Sequence, residues 1–154
     1  MAKIPLFIKG QGGKSCDGCT KCCEGWLLAD INGEQLYPGK PCSSVTEGVG
    51  CSIYKDRPVD PCKNFECFWR ASKVMPPEFK PSEVGVMVVN QEIEGIPYLM
   101  LIEAGNTVPA EVLSWFLQWV FMNQLNAQWQ IGDKMHAVGT PQFTAALARK
   151  NKNE

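Results

Sequence analysis

Cys16-Asp17-Gly18-Cys19-Thr20-Lys21-Cys22-Cys23 gathers four of the chain's eight cysteines, and the others follow as Cys42, Cys51, Cys62 and Cys67. No cysteine occurs in the remainder of the 154-residue chain. Between Cys16 and Cys67 the sequence has little sustained apolar periodicity. Gly18, Gly25, Gly33, Pro38-Gly39, Pro41, Gly48, Gly50, Pro58 and Pro61 break it repeatedly, which predicts loops and short turns. Short helical turns are expected around 20–26 and after Pro61. A segment so poor in apolar runs needs some other tie, and thiolates on a metal would supply it.

The spacing has a mechanical basis. A Cys-x2-Cys pair lets two sulfurs face one ion across a tight turn, and Gly18 suits the positive φ such a turn requires. Thiolates are soft, negative ligands that favour zinc or iron–sulfur clusters over magnesium or calcium. Lys14, Lys21, Lys40 and Lys63 lie close to cysteines in sequence and favour the deprotonated thiol. Two metal readings stand side by side. Cys16-x2-Cys19-x2-Cys22 matches the first three ligands of a bacterial iron–sulfur motif, but Cys23 follows at once, so a fourth ligand must come from Cys42, Cys51, Cys62 or Cys67. For zinc, eight cysteines divide into two four-thiolate sites, with neighbouring Cys22 and Cys23 serving different ions, and a shared thiolate-bridged cluster is the third arrangement. The bland alternative is disulfides or inert buried thiols.

These residues, with Cys51-x-Ile53-Tyr54-x2-Arg57-Pro58-x3-Cys62-x2-Phe65, make the first half of the chain resemble the CxxCxxCC family of zinc- or iron-chelating proteins, the YkgJ-like cysteine-cluster proteins. The resemblance implies metal chelation, often through an iron–sulfur cluster. A related motif in flagellin lysine methylases implies that such a module can accompany an enzyme. The chain departs from the pattern at Ser43-Ser44-Val45, at Lys63 and by the additional Cys67.

Length and charge set the frame. The chain is of a size for one domain with one core, expected here as a cysteine-rich part, 1–80, and an α+β part, 81–154. A net charge of −1 gives no electrostatic case for nucleic acid or an anionic membrane as partner. Residues 1–80 carry eleven Lys/Arg against nine Asp/Glu, so the basic excess accompanies the thiols. Residues 3–8 suggest an edge strand or extended arm. Their apolar run is too short and Pro-interrupted for a signal peptide, which leads to the expectation of a cytoplasmic protein in a reducing compartment. The uncharged stretch from Val112 to Gly132 is broken by Asn123, Gln124, Asn126, Gln128 and Gln130 and does not read as a membrane span.

After Pro76-Pro77 and Pro81, the runs 84–89 and 97–102 predict a β-hairpin joined by a loop containing Gly95. A helix is predicted from about Thr107 to Met122, with Trp115 and Trp119 buried on the face toward that hairpin. A second hairpin is predicted over 129–131 and 134–138, turning at Gly132-Asp133. A final helix is predicted from Thr140-Pro141, giving way to a frayed tail from Arg149. The expected fold class is α+β: a loop-rich cysteine segment packed on a small hairpin and two helices. Tyr54, Phe65, Phe68 and Trp69 read as packing around the cysteine loops, Arg57 as a donor to loop carbonyls, and His136 as structural. No P-loop, HExxH, GxGxxG or Ser/His/Asp arrangement is present. The candidate metal ligands are therefore Cys16, Cys19, Cys22, Cys23, Cys42, Cys51, Cys62 and Cys67, for zinc or an iron–sulfur cluster. The roles this leaves are a redox or cluster-carrying accessory, a zinc-stabilised interaction module, or a metal-dependent modifying enzyme, with no protein partner identified.

Overall fold

The computed structural model describes residues 16, 18–63 and 65–153, so the arm predicted over 3–8 lies outside the described residues. The fold is mixed α+β, with a four-stranded sheet and two small hairpins. The main sheet comprises β5 (Val86–Ile93), β6 (Ile96–Glu103), β7 (Ala127–Ile131) and β8 (Lys134–Val138), in that spatial order. The small hairpins are β1 (Ala29–Ile31) with β2 (Glu34–Leu36), and β3 (Val45–Thr46) with β4 (Gly50–Cys51). The helices are α1 (Phe68–Ala71), α2 (Pro81–Val84), α3 (Ala110–Met122) and α4 (Pro141–Lys152), and Lys21–Cys23 forms a 3-10 turn.

The first predicted hairpin is present but longer than expected. Strands β5 and β6 pair antiparallel from Val86↔Glu103 to Ile93↔Ile96 and turn at Glu94-Gly95, whose φ values of 49° and 79° give the double positive-φ turn that matches strand twist. Val84 is not strand, as the apolar run suggested: it ends α2, and Gly85 caps that helix at φ 71°. The second hairpin turns at Gly132-Asp133 as expected. What joins the two hairpins is a parallel pairing of β6 and β7, Leu99↔Ala127 to Leu101↔Trp129, with α3 as the crossover. Parallel neighbours need such a long connection. Glu103 helps set it, accepting from the Val108 N–H at 2.9 Å and from the Gly132 N–H at 2.8 Å.

The consecutive apolar residues Val86–Val89 are all buried because both sides of this half of the strand are covered. Val86 and Val88 join Phe68, Trp69, Met75, Leu99, Leu101, Val112, Phe116 and Val120 in the main core. Met87 and Val89, with Ile102 and Ala104, receive Cys22, Trp26 and Leu27 from the cysteine segment. One face of the sheet thus meets the core that includes α3 and Cys67, and the other meets the loop that carries Cys22.

Two expectations are corrected by packing. The fully buried stripe of α3 is Val112-Phe116-Val120, while Trp115 and Trp119 are half-buried at its flank, stacked on each other at 6.0 Å. Trp115 also meets Phe68 and Phe79, at 6.4 Å each. The tail from Arg149 is not frayed; α4 continues to Lys152. Arg149 pairs with Glu94 at 2.9 Å, and the basic residues of the last turn complement the helix dipole. The start of α4 is as predicted, Thr140 Oγ1 accepting from the Phe143 N–H.

Because Phe116 is fully enclosed, Phe116→Ala should cost about 3–5 kcal/mol by urea denaturation. Trp119→Ala should cost less, despite removing a larger side chain; the reverse order would place the core stripe on the tryptophans.

Candidate metal centre

The loops that carry the thiols are fixed by local bonds. The Cys19 N–H donates to the Cys16 carbonyl at 2.7 Å, closing the first turn, and Gly18 within it adopts φ 72°. The Cys23 N–H donates to the Thr20 carbonyl at 2.9 Å, so Cys22 and Cys23 sit on a 3-10 turn. Gly25, just beyond, has φ 95°, and a β-carbon there would collide with the Tyr37 carbonyl, so the chain can pass so close to the end of β2 only as glycine.

Long-range bonds then bring the later cysteines back. The Cys42 N–H donates to the Cys23 carbonyl at 2.9 Å. Buried Thr20 donates its hydroxyl to Glu24 at 2.6 Å and accepts from the Gly48 N–H at 2.9 Å, tying the first turn to the loop ahead of Cys51. Cys51 lies in β4 opposite Val45, whose N–H donates to the Cys42 carbonyl. Cys23, Cys42, Cys62 and Val45 pack around Ile31 and Leu36 of the first hairpin. Cys67 precedes α1 and is buried in the main core.

All eight cysteines line one cleft of about 1240 Å³ between these loops and the sheet residues Asn90, Gln91, Met100 and Ile102. None is in a disulfide; Cys16 is exposed, Cys42 and Cys67 are buried, and the others are half-buried. The donor chemistry fits a soft metal, since the gathered groups are thiols and His136 stands apart in β8, stacked on Trp129 at 5.6 Å. The sulfurs are gathered without being closed on a point: among the described residues, no three Cys, His, Asp or Glu side chains form a group that could hold an ion as placed. Coordination by these residues would require their sulfurs to draw closer.

The electrostatics of the cleft disfavour unliganded thiolates at several positions. Burial pushes the Cys67 thiol up to about 11, against the opposing hydrogen bonds of the Arg70 and Trp69 backbone. Burial also raises Cys16 and Cys62, partly offset by Arg70 and Lys80 at the first and by Arg57 at the second. Cys22 and Cys23 form a thiol pair 3.9 Å apart. Their hydrogen bond raises Cys22 and lowers Cys23 to about 7, so the pair gives up its first proton more readily than its second.

The surrounding residues sort as follows. Phe68 and Trp69 are core, as expected, and Phe65 is half-buried between two apolar clusters. Tyr54 is not packing: it is 57% exposed, with the Arg57 guanidinium 3.8 Å from its ring centroid. Arg57 also donates to the Tyr54 carbonyl at 2.6 Å, the role read from its Arg-Pro turn. Sequence reasoning overlooked Thr20 and Trp26. Thr20 gave a signal, a hydroxyl inside the cysteine turn, but its partner at Gly48 is 28 residues distant. Trp26 lines the cleft and its buried indole N–H has no hydrogen-bond partner among the described residues.

Among the described residues, no helix is long and apolar enough to cross a membrane. Comparison with known protein families, curated proteins and solved structures gives no match.

The Cys67 thiol yields a pH test. Its folded pKa of about 11 lies above the ordinary 9.0, so the neutral thiol's contribution is complete below pH 9 and is lost as pH rises through 11. Chelator-treated protein should therefore lose about 2–3 kcal/mol of stability over that window from this group alone. Denaturation at stepped pH should show Cys67→Ala lacking this part of the slope; an identical slope would assign the alkaline loss elsewhere.

Proposed function

We propose that this chain is a metal-chelating protein that binds zinc or an iron–sulfur cluster through its clustered cysteine thiolates, acting as a redox or cluster-carrying accessory. The supporting observation is the convergence of all eight cysteines on one cleft from separate stretches of a loop-rich segment. A protein that merely tolerated unused thiols would have no reason to return the chain to Cys23 from Cys42, Cys51 and Cys62. The resemblance to CxxCxxCC proteins agrees with this reading and rests on the same residues.

When bound, the metal supplies a soft cationic centre that stabilises thiolates. The chain's part is to present the sulfurs, to relieve their charge with Arg57, Arg70 and Lys80, which lower the nearby thiols, and to shield them behind the sheet. Exposed Cys16 supports the accessory role, because a centre that hands over metal or electrons needs a ligand at the surface. A zinc-stabilised interaction module is the second reading, favoured by Leu28 and Val49, which line the same cleft while 76% and 74% exposed.

Anaerobic purification with metal, sulfide and visible-absorption analysis tests the proposal. Iron with sulfide and a thiolate charge-transfer spectrum identifies a cluster; zinc in a colourless protein identifies a zinc centre. Protein that carries neither, and takes up neither on reconstitution, overturns the proposal. Stripping bound metal should lower the melting temperature and the amide protection of 18–63, because structural thiolate coordination contributes folding free energy.

A further inference from the structure

We propose that the eight cysteines form two separate four-thiolate centres, Cys16/Cys19/Cys22/Cys67 and Cys23/Cys42/Cys51/Cys62, divided at the Cys22–Cys23 peptide bond. The proposal rests on the metal-binding reading above and goes further by assigning each ligand.

The second set is gathered by backbone geometry. Cys42 is bonded to the Cys23 carbonyl at 2.9 Å, and Val45, opposite Cys51, is bonded to Cys42 at 3.1 Å. Cys23, Cys42 and Cys62 share one apolar cluster with Ile31 and Leu36. Cys22 belongs to a different cluster, against Met87, Val89 and Ile102 of the sheet. Phe65 packs against that cluster and also against the one that contains Cys67, so one side chain bridges the two. Cys16 and Cys19 complete this set across their 2.7 Å turn.

Charge follows the same division except at the Cys22–Cys23 contact itself. Cys22 feels Cys23 first and then Cys67 and Cys16, Cys67 feels Cys16 and Cys19, and Cys62 feels Cys23, Cys42 and Cys51. Each set also has its own basic neighbours: Arg70 and Lys80 act on Cys16, and Arg57 acts on Cys23 and Cys62. A four-thiolate site on a divalent ion carries a formal charge of about −2, so a separate cation for each set is the arrangement two sites require. The division gives a role to Cys67, which the CxxCxxCC pattern leaves over: it is the fourth ligand of a set that otherwise has three.

The competing arrangement is one centre that uses Cys22 and Cys23 together. Their 3.9 Å separation is close to the edge of a tetrahedron built from bonds of about 2.3 Å, so the distance alone admits it. Loading the full-length chain with Zn²⁺ and weighing it by native mass spectrometry decides between them. The division predicts about two ions in the wild type, half of that in Cys16→Ser and in Cys67→Ser, half in Cys51→Ser, and none in Cys16→Ser/Cys51→Ser. Cys16 is exposed, so its variant keeps the test valid if the buried Cys67 variant fails to fold. Loss of all zinc in Cys16→Ser or in Cys51→Ser overturns the division while leaving metal binding intact. A wild type that binds no zinc overturns the two zinc centres, and one that also takes up no iron–sulfur cluster on reconstitution overturns metal binding itself. On the wild type loaded with ¹¹³Cd²⁺, two NMR resonances without mutual coupling are expected, and a coupled pair would reveal bridging thiolates and refute separate centres.

Discussion

The return of the chain onto the Cys16–Cys23 turn is the constraint on which the cysteine half depends. It is made by few bonds: the Cys42 N–H on the Cys23 carbonyl, and the Thr20 hydroxyl between Glu24 and the Gly48 N–H. Each is worth about 1 kcal/mol net. The loops they close are tens of residues long or less, and closure entropy grows only slowly with length. These bonds can therefore set the path of the chain, and two small apolar clusters help to hold it. One, around Ile31, Leu36 and Cys42, packs the loops on the first hairpin, and the other, around Met87 and Val89, packs Cys22, Trp26 and Leu27 on the sheet.

Burial places the thiols under opposing demands. A buried thiol is stable as a small apolar group, and Cys67 in the core is the clearest case. A ligand must instead be a thiolate, and the cleft disfavours that charge at Cys16, Cys22, Cys62 and Cys67 until something positive offsets it. Arg57, Arg70 and Lys80 offset it in part. A soft metal cation offsets more of it by coordinating the thiolates, with release of protons, so occupancy and pH are linked in the account proposed here.

Much of the fold was legible where local chemistry decides it. Gly132-Asp133 marked the β7–β8 turn, and Thr140-Pro141 marked the start of α4, because a turn and a cap are chosen by a few adjacent residues. Elements set by distant partners were not legible. The parallel pairing of β6 with β7 requires the α3 crossover, and although the order strand–helix–strand was in the sequence, its meaning depends on the register of Leu99 with Ala127. The helix around Arg149 follows buried Ala146 and Leu147, and its Arg149 meets Glu94, 55 residues earlier, a partner no local pattern shows. Trp115 and Trp119 have helical spacing and large apolar area, yet Val112, Phe116 and Val120 take the enclosed stripe. In the candidate site, the eight cysteines were legible as a group from spacing. Their placement around Thr20, Ile31 and Leu36 was not, because it depends on where the loops dock.

The central claim is that the gathered sulfurs are the ligands of a soft metal. X-ray absorption at the metal edge of the loaded, full-length protein tests it most directly. The account predicts a ligand shell of sulfur alone, at about 2.3 Å for zinc. A shell dominated by nitrogen or oxygen at about 2.0–2.2 Å would contradict it, and would move the metal away from the cysteines.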